Sequence, residues 1–405
     1  MGGHFVYMDY NATTPLRDEV KAAMIEDLSV YANASSMHEA GRRARDRIEK
    51  ARAKVAALIG ARDPVSIIFT SGGSESNNTV FNTMYDLGRA EKGGAKPRRK
   101  IITTAIEHPC VMNAARRLAD EGFPVVFLGV DGSGRIDLAE LERELDPNRS
   151  AGGPTLLVSV MAANNEIGTV QDIGAIAELA KASGALVHSD AVQAAGKIPI
   201  DVETWGVDYI TLSCHKIYGP KGIGALYIRK GVRAEPLIRG GHQELGIRAG
   251  TYNNQGILGF GLAAELALRD LDSFAERMRG LRERLRKGIA AKVPDIRFNG
   301  HATHVLPNTL NVSFPGAEGE AILLSLDLEG IEVSTGSACA SGSLEPSHVL
   351  IATGVGPELA HGSIRFSMGR GTTEDDVDYV IEKLAPIIRR LRRMSTLPSS
   401  VAAST

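Results

Sequence analysis

The sequence predicts an α/β fold, with a large domain built on a mostly parallel sheet covered by helices and a smaller α+β domain after it. Three observations carry this. From about Ser66 to Ser213, short apolar runs of strand length alternate with stretches of helical period, as parallel strands joined by helical crossovers do. After Gln255 the alternation stops, and a long helical pattern runs from about Gly256 to Ala291. Finally, His108, Asn164, Asp190, Gln193 and Lys216 each follow an apolar strand-like run. Ligands of such sheets gather at the carboxyl ends of strands.

The elements follow in order. Tyr7–Pro15 is a short extended lead-in, and Pro15 opens a helical stretch to about Leu28. Asn33–His38 is a polar loop. Ala44, Ile48, Ala51, Val55, Leu58 and Ile59 recur at helical spacing and form one apolar stripe. Arg42, Arg43, Arg45, Arg47, Lys50, Arg52 and Lys54 are assigned to the opposite, solvated face. Ser66–Thr70 is a strand, and Glu91–Pro97 a loop. Strands follow at 100–105, 124–128, 155–161 and 185–189, with helices at 111–121, from 138, and at 174–182. Val207–Leu212 is an apolar, β-rich run. In the smaller domain, strands at 310–314, 331–334 and 363–368 surround a helix at 318–328, and Thr372–Asp376 starts a closing helix with a capping pattern. The Ser/Ala/Pro-rich 396–405 reads as a disordered tail.

Composition narrows the class. A chain of 405 residues, 43% hydrophobic and 23% charged, is ordinary for a globular enzyme of two domains. A net charge of −2 offers no argument for nucleic acid or an anionic membrane surface as partner. No apolar run approaches the roughly 18 residues of a membrane span. Three cysteines, Cys110, Cys214 and Cys339, show no CxxC spacing, which argues against a disulfide framework and for a reducing compartment. A cytoplasmic location is expected.

Two stretches carry the chemistry. Ser213-Cys214-His215-Lys216 follows the Val207–Leu212 run. Taken alone, such a lysine is a snorkelling surface group or a desolvated amine nucleophile. Leu186–Gln193 places Asp190 at the end of another apolar run, 26 residues before Lys216. A carboxylate that keeps a pyridinium nitrogen protonated, with an amine nearby, is what pyridoxal phosphate requires. Ser71-Gly72-Gly73-Ser74, between a strand and a helix, is either a phosphate cup or an ordinary capped turn. It lacks the Gly-Lys-Ser/Thr ending of a nucleotide P-loop.

With these motifs, and the Tyr7–Pro15 opening, the sequence resembles the cysteine desulfurases of the NifS/IscS type from about Tyr7 to about Leu391. These are fold-type I pyridoxal-phosphate enzymes of the class V aminotransferase family. The resemblance implies a Schiff-base lysine at Lys216, a pyridinium partner at Asp190 and a ring-stacking His108. It implies that Gln193 bonds the cofactor's phenolic oxygen, and that Gly73, Ser74, Ser213 and His215 hold its phosphate. Thr251 would reach the phosphate of a neighbouring subunit, so a homodimer is implied. Asn164 and Arg365 would bind the substrate carboxylate, as a guanidinium fork suits; read alone, an arginine in an apolar strand such as Arg365 is more often an ion-pair partner. The resemblance puts the large domain at 14–256 and the small one at 1–13 with 257–395.

Cys339 lies in Ser334–Ser343, a stretch of small residues without periodicity, which reads as a mobile loop. The resemblance makes it the catalytic nucleophile that takes the sulfur of L-cysteine as a persulfide, and a transient iron–sulfur ligand. An iron–sulfur scaffold protein would accept the sulfur, in housekeeping or nitrogen-fixation service. An aminotransferase of the same fold needs no such thiol, which makes Cys339 the discriminating residue. Cys214 stands where relatives usually carry glycine, so a thiol adjoins Lys216.

Overall fold

The computed structural model of the chain describes residues 4–90, 98–149, 151–335 and 345–395. The expected loop at 91–97, the segment carrying Cys339 and the tail 396–405 lie outside the described residues. The chain enters through β1 (Val6–Tyr7) and the helix Asp18–Asp27. A large sheet then takes β2 (Ile67–Thr70), β3 (Lys100–Thr104), β4 (Val125–Leu128), β5 (Thr155–Ser159), β6 (Leu186–Asp190), β7 (Tyr209–Ser213) and β8 (Gly224–Ile228). Their spatial order is β2-β8-β7-β6-β5-β3-β4. β7 through β4 are mutually parallel, and β8 runs antiparallel to both its neighbours. β2 and β7 therefore point the same way. β8 is absent from the expected strands: its apolar run follows the Gly219–Gly222 turn without a helix between it and β7, so the alternation does not flag it.

The period-2 alternation of strand side chains divides the packing between two faces. Ile67 and Phe69 of β2, with Ala225 and Tyr227 of β8, pack with the helices Glu39–Leu58, Ile173–Ala182 and Asn254–Arg269. Ile68 and Leu226 point the other way, onto the helices Gly73–Ala90 and Pro109–Asp120.

The second core surrounds an antiparallel sheet of order β12-β10-β9, built from β9 (Arg297–Asn299), β10 (Thr309–Ser313) and β12 (Ser363–Ser367). The helices Leu271–Lys292 and Glu374–Met394 cover it with Met278, Leu285, Val380 and Leu384. β1 joins this core, pairing parallel with β11 (Ile331–Glu332), and Val6 and Met8 are buried in it. The expected helical pattern from Gly256 is two helices meeting at Asp270, which flanks both. A division at residue 256 falls inside the first of them, whose Phe260, Ala263 and Leu266 pack with the large sheet; the two cores part at Asp270.

One surface assignment is corrected. Arg52 is buried, not solvated: it stands four residues after Ile48 and so shares the apolar stripe. Its guanidinium donates to both oxygens of Glu244, at 2.7 and 2.8 Å, and to the Ile67 carbonyl, and it lies over the Phe69 ring. No helix among the described residues is long and apolar enough to cross a membrane.

Candidate active site

Four adjacent strands, β3, β5, β6 and β7, release His108, Asn164, Asp190, Gln193 and Lys216 from the same end of the sheet. Past β7, Cys214–Lys216 form a single 3-10 turn. The Lys216 Nζ donates to the backbone carbonyls of Asn11 and Ala12 at 2.5 and 2.6 Å. Asn11 is itself fixed from three directions. Its side-chain amide donates to Thr309 Oγ1 and the Asn165 carbonyl, and its backbone N–H donates to Ser367 Oγ. The first segment of the chain thus links the lysine's turn to the small sheet.

Asp190 ends β6 and is buried. One of its oxygens accepts from the Val192 N–H at 3.0 Å and the other from Asn77 Nδ2 at 2.7 Å. Asn77 lies one turn into the helix Gly73–Ala90, so that helix aligns the carboxylate. Gln193, the residue after Val192, donates its Nε2 to the Asn11 carbonyl at 2.9 Å and accepts at Oε1 from Lys197 Nζ at 2.6 Å.

His108 caps the helix Pro109–Asp120: its Nδ1 accepts from the Cys110 N–H at 3.2 Å and lies 2.9 Å from the Cys110 Sγ. A neutral ring whose Nδ1 accepts carries its hydrogen on Nε2, the nitrogen left to exchange a proton. Burial lowers the His108 pKa; Asp190 opposes that shift and Lys216 adds to it. Burial pushes the Cys110 thiol up to about 12, with Asp190 adding to the rise, so it is no thiolate at neutral pH.

The expected anion cup has the shape its chemistry needs. A Cβ on Gly73 would fall 2.9 Å from Val192 Cγ2, 3.6 Å from Thr211 Cγ2 and 3.7 Å from Ser213 Cβ. The bare backbone at the start of this helix therefore faces the exits of β6 and β7, where its N–H groups can meet an anion. Ser74 and Ser213 flank it. His215, two residues past Ser213, has its Nδ1 3.1 Å from Thr13 Oγ1. Burial, then Lys216, lowers His215 to about 4, so it serves an anion as a neutral hydrogen-bonding group. The donor set fits a phosphorylated pyridine, with a neutral cup at one end and a carboxylate at the other.

The two carboxylate-site expectations separate. Asn164 is wholly buried, and its amide is committed to the Ile106 carbonyl and to the Glu166 and Ile167 N–H groups. Arg365, on β12, pairs with Asp9 at 2.7 Å and donates to the Asn165 carbonyl at 3.1 Å, while its buried Nε meets no acceptor among the described residues. Arg365 is therefore both an ion-pair partner and, at Nε, a donor awaiting an acceptor. Thr251 is exposed. Cys214 is fully buried, and a Cβ on Gly219 would overlap its Sγ, so this thiol fills space against the next turn. No cluster of three metal-binding side chains occurs among the described residues.

Asn11, Asn77 and Lys197 were not foreseen. Asn11 lies in the Tyr7–Pro15 opening, and Asn77 three residues past the Ser71–Ser74 turn, but nothing local states their partners. Lys197 has the one usable local signal, a spacing of four residues from Gln193.

The family described as aminotransferase class-V matches residues 6–380. A cysteine desulfurase of Trichormus variabilis is 48% identical over 398 residues, covering 98% of this chain and 96% of the relative. A cysteine desulfurase IscS of Dictyoglomus turgidum is 48% identical over 391 residues, 96% of each. A solved NifS-like protein superimposes with a TM-score of 0.87 at 40% identity, covering 96% of this chain and 100% of its own.

Proposed function

Since this chain belongs to the aminotransferase class-V family, and with its relatives to the cysteine desulfurases, we propose that it converts L-cysteine to L-alanine with pyridoxal phosphate at Lys216 and passes the sulfur through Cys339. The observation that carries this reading is the placing of Lys216 and Asp190 at the ends of neighbouring strands, with a bare helix N-terminus facing both exits. Pyridoxal phosphate, when bound, supplies an electron sink that loosens the bonds around the substrate's Cα and Cβ. Gly73, Ser74, Ser213 and His215 would hold its phosphate, Asp190 its ring nitrogen and Gln193 its phenolic oxygen, with His108 against the ring.

The chain's own groups do the rest. Asn77 and the Val192 N–H orient the Asp190 carboxylate. Lys216, which the Asn11 and Ala12 carbonyls hold near the ring site, is the proton carrier. His108 exchanges a proton at Nε2. Arg365 offers its Nε to the substrate carboxylate. The Cys339 thiolate attacks the substrate sulfur, and the Cβ–S electron pair passes to the carbon skeleton that becomes alanine. The persulfide then goes to a scaffold protein for iron–sulfur cluster assembly, in the cytoplasm, from a homodimer in which Thr251 reaches the other copy's phosphate.

Incubating the purified, cofactor-loaded chain with L-cysteine and a thiol reductant tests this. Alanine and sulfide should form in equal amounts. A chain that takes up no pyridoxal phosphate, or forms alanine without sulfide or persulfide, sinks the proposal.

A further inference from the structure

A second buried amine, Lys197, lies beside Lys216, and its role rests on the cofactor reading above. It sits in the turn after β6, four residues past Gln193, and is 4% exposed. Its Nζ donates to Gln193 Oε1 at 2.6 Å and to Asn11 Oδ1 at 3.2 Å. Both partners are amide oxygens, and no ion pair includes Lys197 among the described residues. Two hydrogen bonds match the two hydrogens of a neutral amine. The charged and titratable groups around it are Lys216, Arg365 and His215. Arg17, Asp270 and Arg370 line a cavity that Lys197 and Lys216 share, as do the phenols Tyr10 and Tyr218. Burial, with Lys216 and Arg365, lowers the Lys197 pKa well below the ordinary lysine value.

A buried lysine without a counter-ion costs stability, and a methionine would fill nearly the same volume. What the amine provides is hydrogen-bond direction. It occupies Gln193 Oε1, so the amide's NH2 end turns the other way and meets the Asn11 carbonyl, which can only accept. Nε2 has two hydrogens, and this contact uses one.

We propose that Lys197 is a positioning residue that fixes the Gln193 amide with its second Nε2 hydrogen directed at the cofactor's phenolic oxygen. Lys197 touches neither substrate nor cofactor; it acts through Gln193. Without it the amide is free to rotate, and the phenolic oxygen loses a steady donor.

The test is Lys197→Met in the full chain loaded with pyridoxal phosphate, read by pH titration of the visible band without substrate, by cofactor affinity and by thermal unfolding. The expected result is a midpoint moved up by about half a pH unit or more and a cofactor Kd raised ~5-fold, the scale of one lost hydrogen bond, with no loss of melting temperature. In a Gln193→Ala background the same substitution should move the midpoint by less than about 0.2 unit, since coupled residues do not add. Lys197→Gln keeps a donor and should restore the native midpoint, and it decides the case if the methionine chain does not fold. A native midpoint in Lys197→Met, an equal shift in both backgrounds, or a displaced midpoint in Lys197→Gln each overturns the inference. A native chain that shows no visible band at all overturns instead the cofactor reading on which it rests.

Discussion

Replacing Arg52 with methionine removes one guanidinium from a buried pair. The methionine retains most of the apolar stem, so the loss is electrostatic rather than a cavity. Glu244, whose side chain is 2% exposed, then keeps only the Phe69 N–H, at 2.6 Å, of the three hydrogen bonds its carboxylate accepts. Removing one partner of a buried pair costs about 3–5 kcal/mol. Glu49 also loses a contact, but its side chain is 44% exposed and water replaces it. A cost of about 4 kcal/mol in a domain of this size lowers the melting temperature by roughly 8–16 °C, at about 2–4 °C per kcal/mol. Thermal unfolding followed by circular dichroism at neutral pH measures it. The double variant Arg52→Met with Glu244→Gln leaves no unpaired charge and should be more stable than Arg52→Met alone. A fall of less than about 2 °C in the single variant, or a double variant less stable than the single, would refute the reasoning.

Asp190→Ala should stay folded and lose most turnover, because the ring nitrogen loses the partner that keeps it protonated; near-normal alanine formation would show a wrong assignment. Cys339→Ser should bind pyridoxal phosphate yet release no sulfide, and after L-cysteine the native chain should carry one extra sulfur on the peptide bearing Cys339, read by mass spectrometry. Burial pushes the Glu166 carboxyl up to about 7, against the lowering effects of Ser347 and Arg365. A raised carboxyl pKa favours the folded state below the unfolded value near 4.3, and this contribution is lost as pH rises through about 7. Native stability should therefore fall relative to Glu166→Gln between about pH 4.5 and 7, by up to about 1.4 kcal/mol per pH unit and read as a falling melting temperature, and parallel curves would count against it.

The sheet and the principal site residues were legible because each lies where an apolar run meets a polar residue, a signal contained within a few positions. His108, Asp190 and Lys216 all carry it. The residues that orient them do not. Asn77 meets Asp190 across 113 positions, and Asn11 meets Gln193 across 182, distances over which no periodicity speaks. Arg52 was misplaced for a related reason: helical spacing alone puts it on the stripe with Ile48, but its charge argued for solvent, and the carboxylate that satisfies it lies 192 positions away. β8 escaped because its antiparallel return needs only a turn.

The anchoring of Asn11 has a consequence for biosynthesis. The segment that holds Lys216 is made before its most distant anchor, Ser367 Oγ, which is 356 residues later in the chain. At about 5–20 residues per second, roughly 20–70 s pass between the two on the ribosome. During that time the strands that end in Asp190 and Ser213 can pair, and the helix that faces the anion cup can dock. The Asn11 segment can meet Asn165 and Gln193 in that interval, but its ties to Thr309 and Ser367 wait for β10 and β12. A nascent chain can thus hold every strand of the large sheet while the ties from Asn11 to the small sheet are still missing.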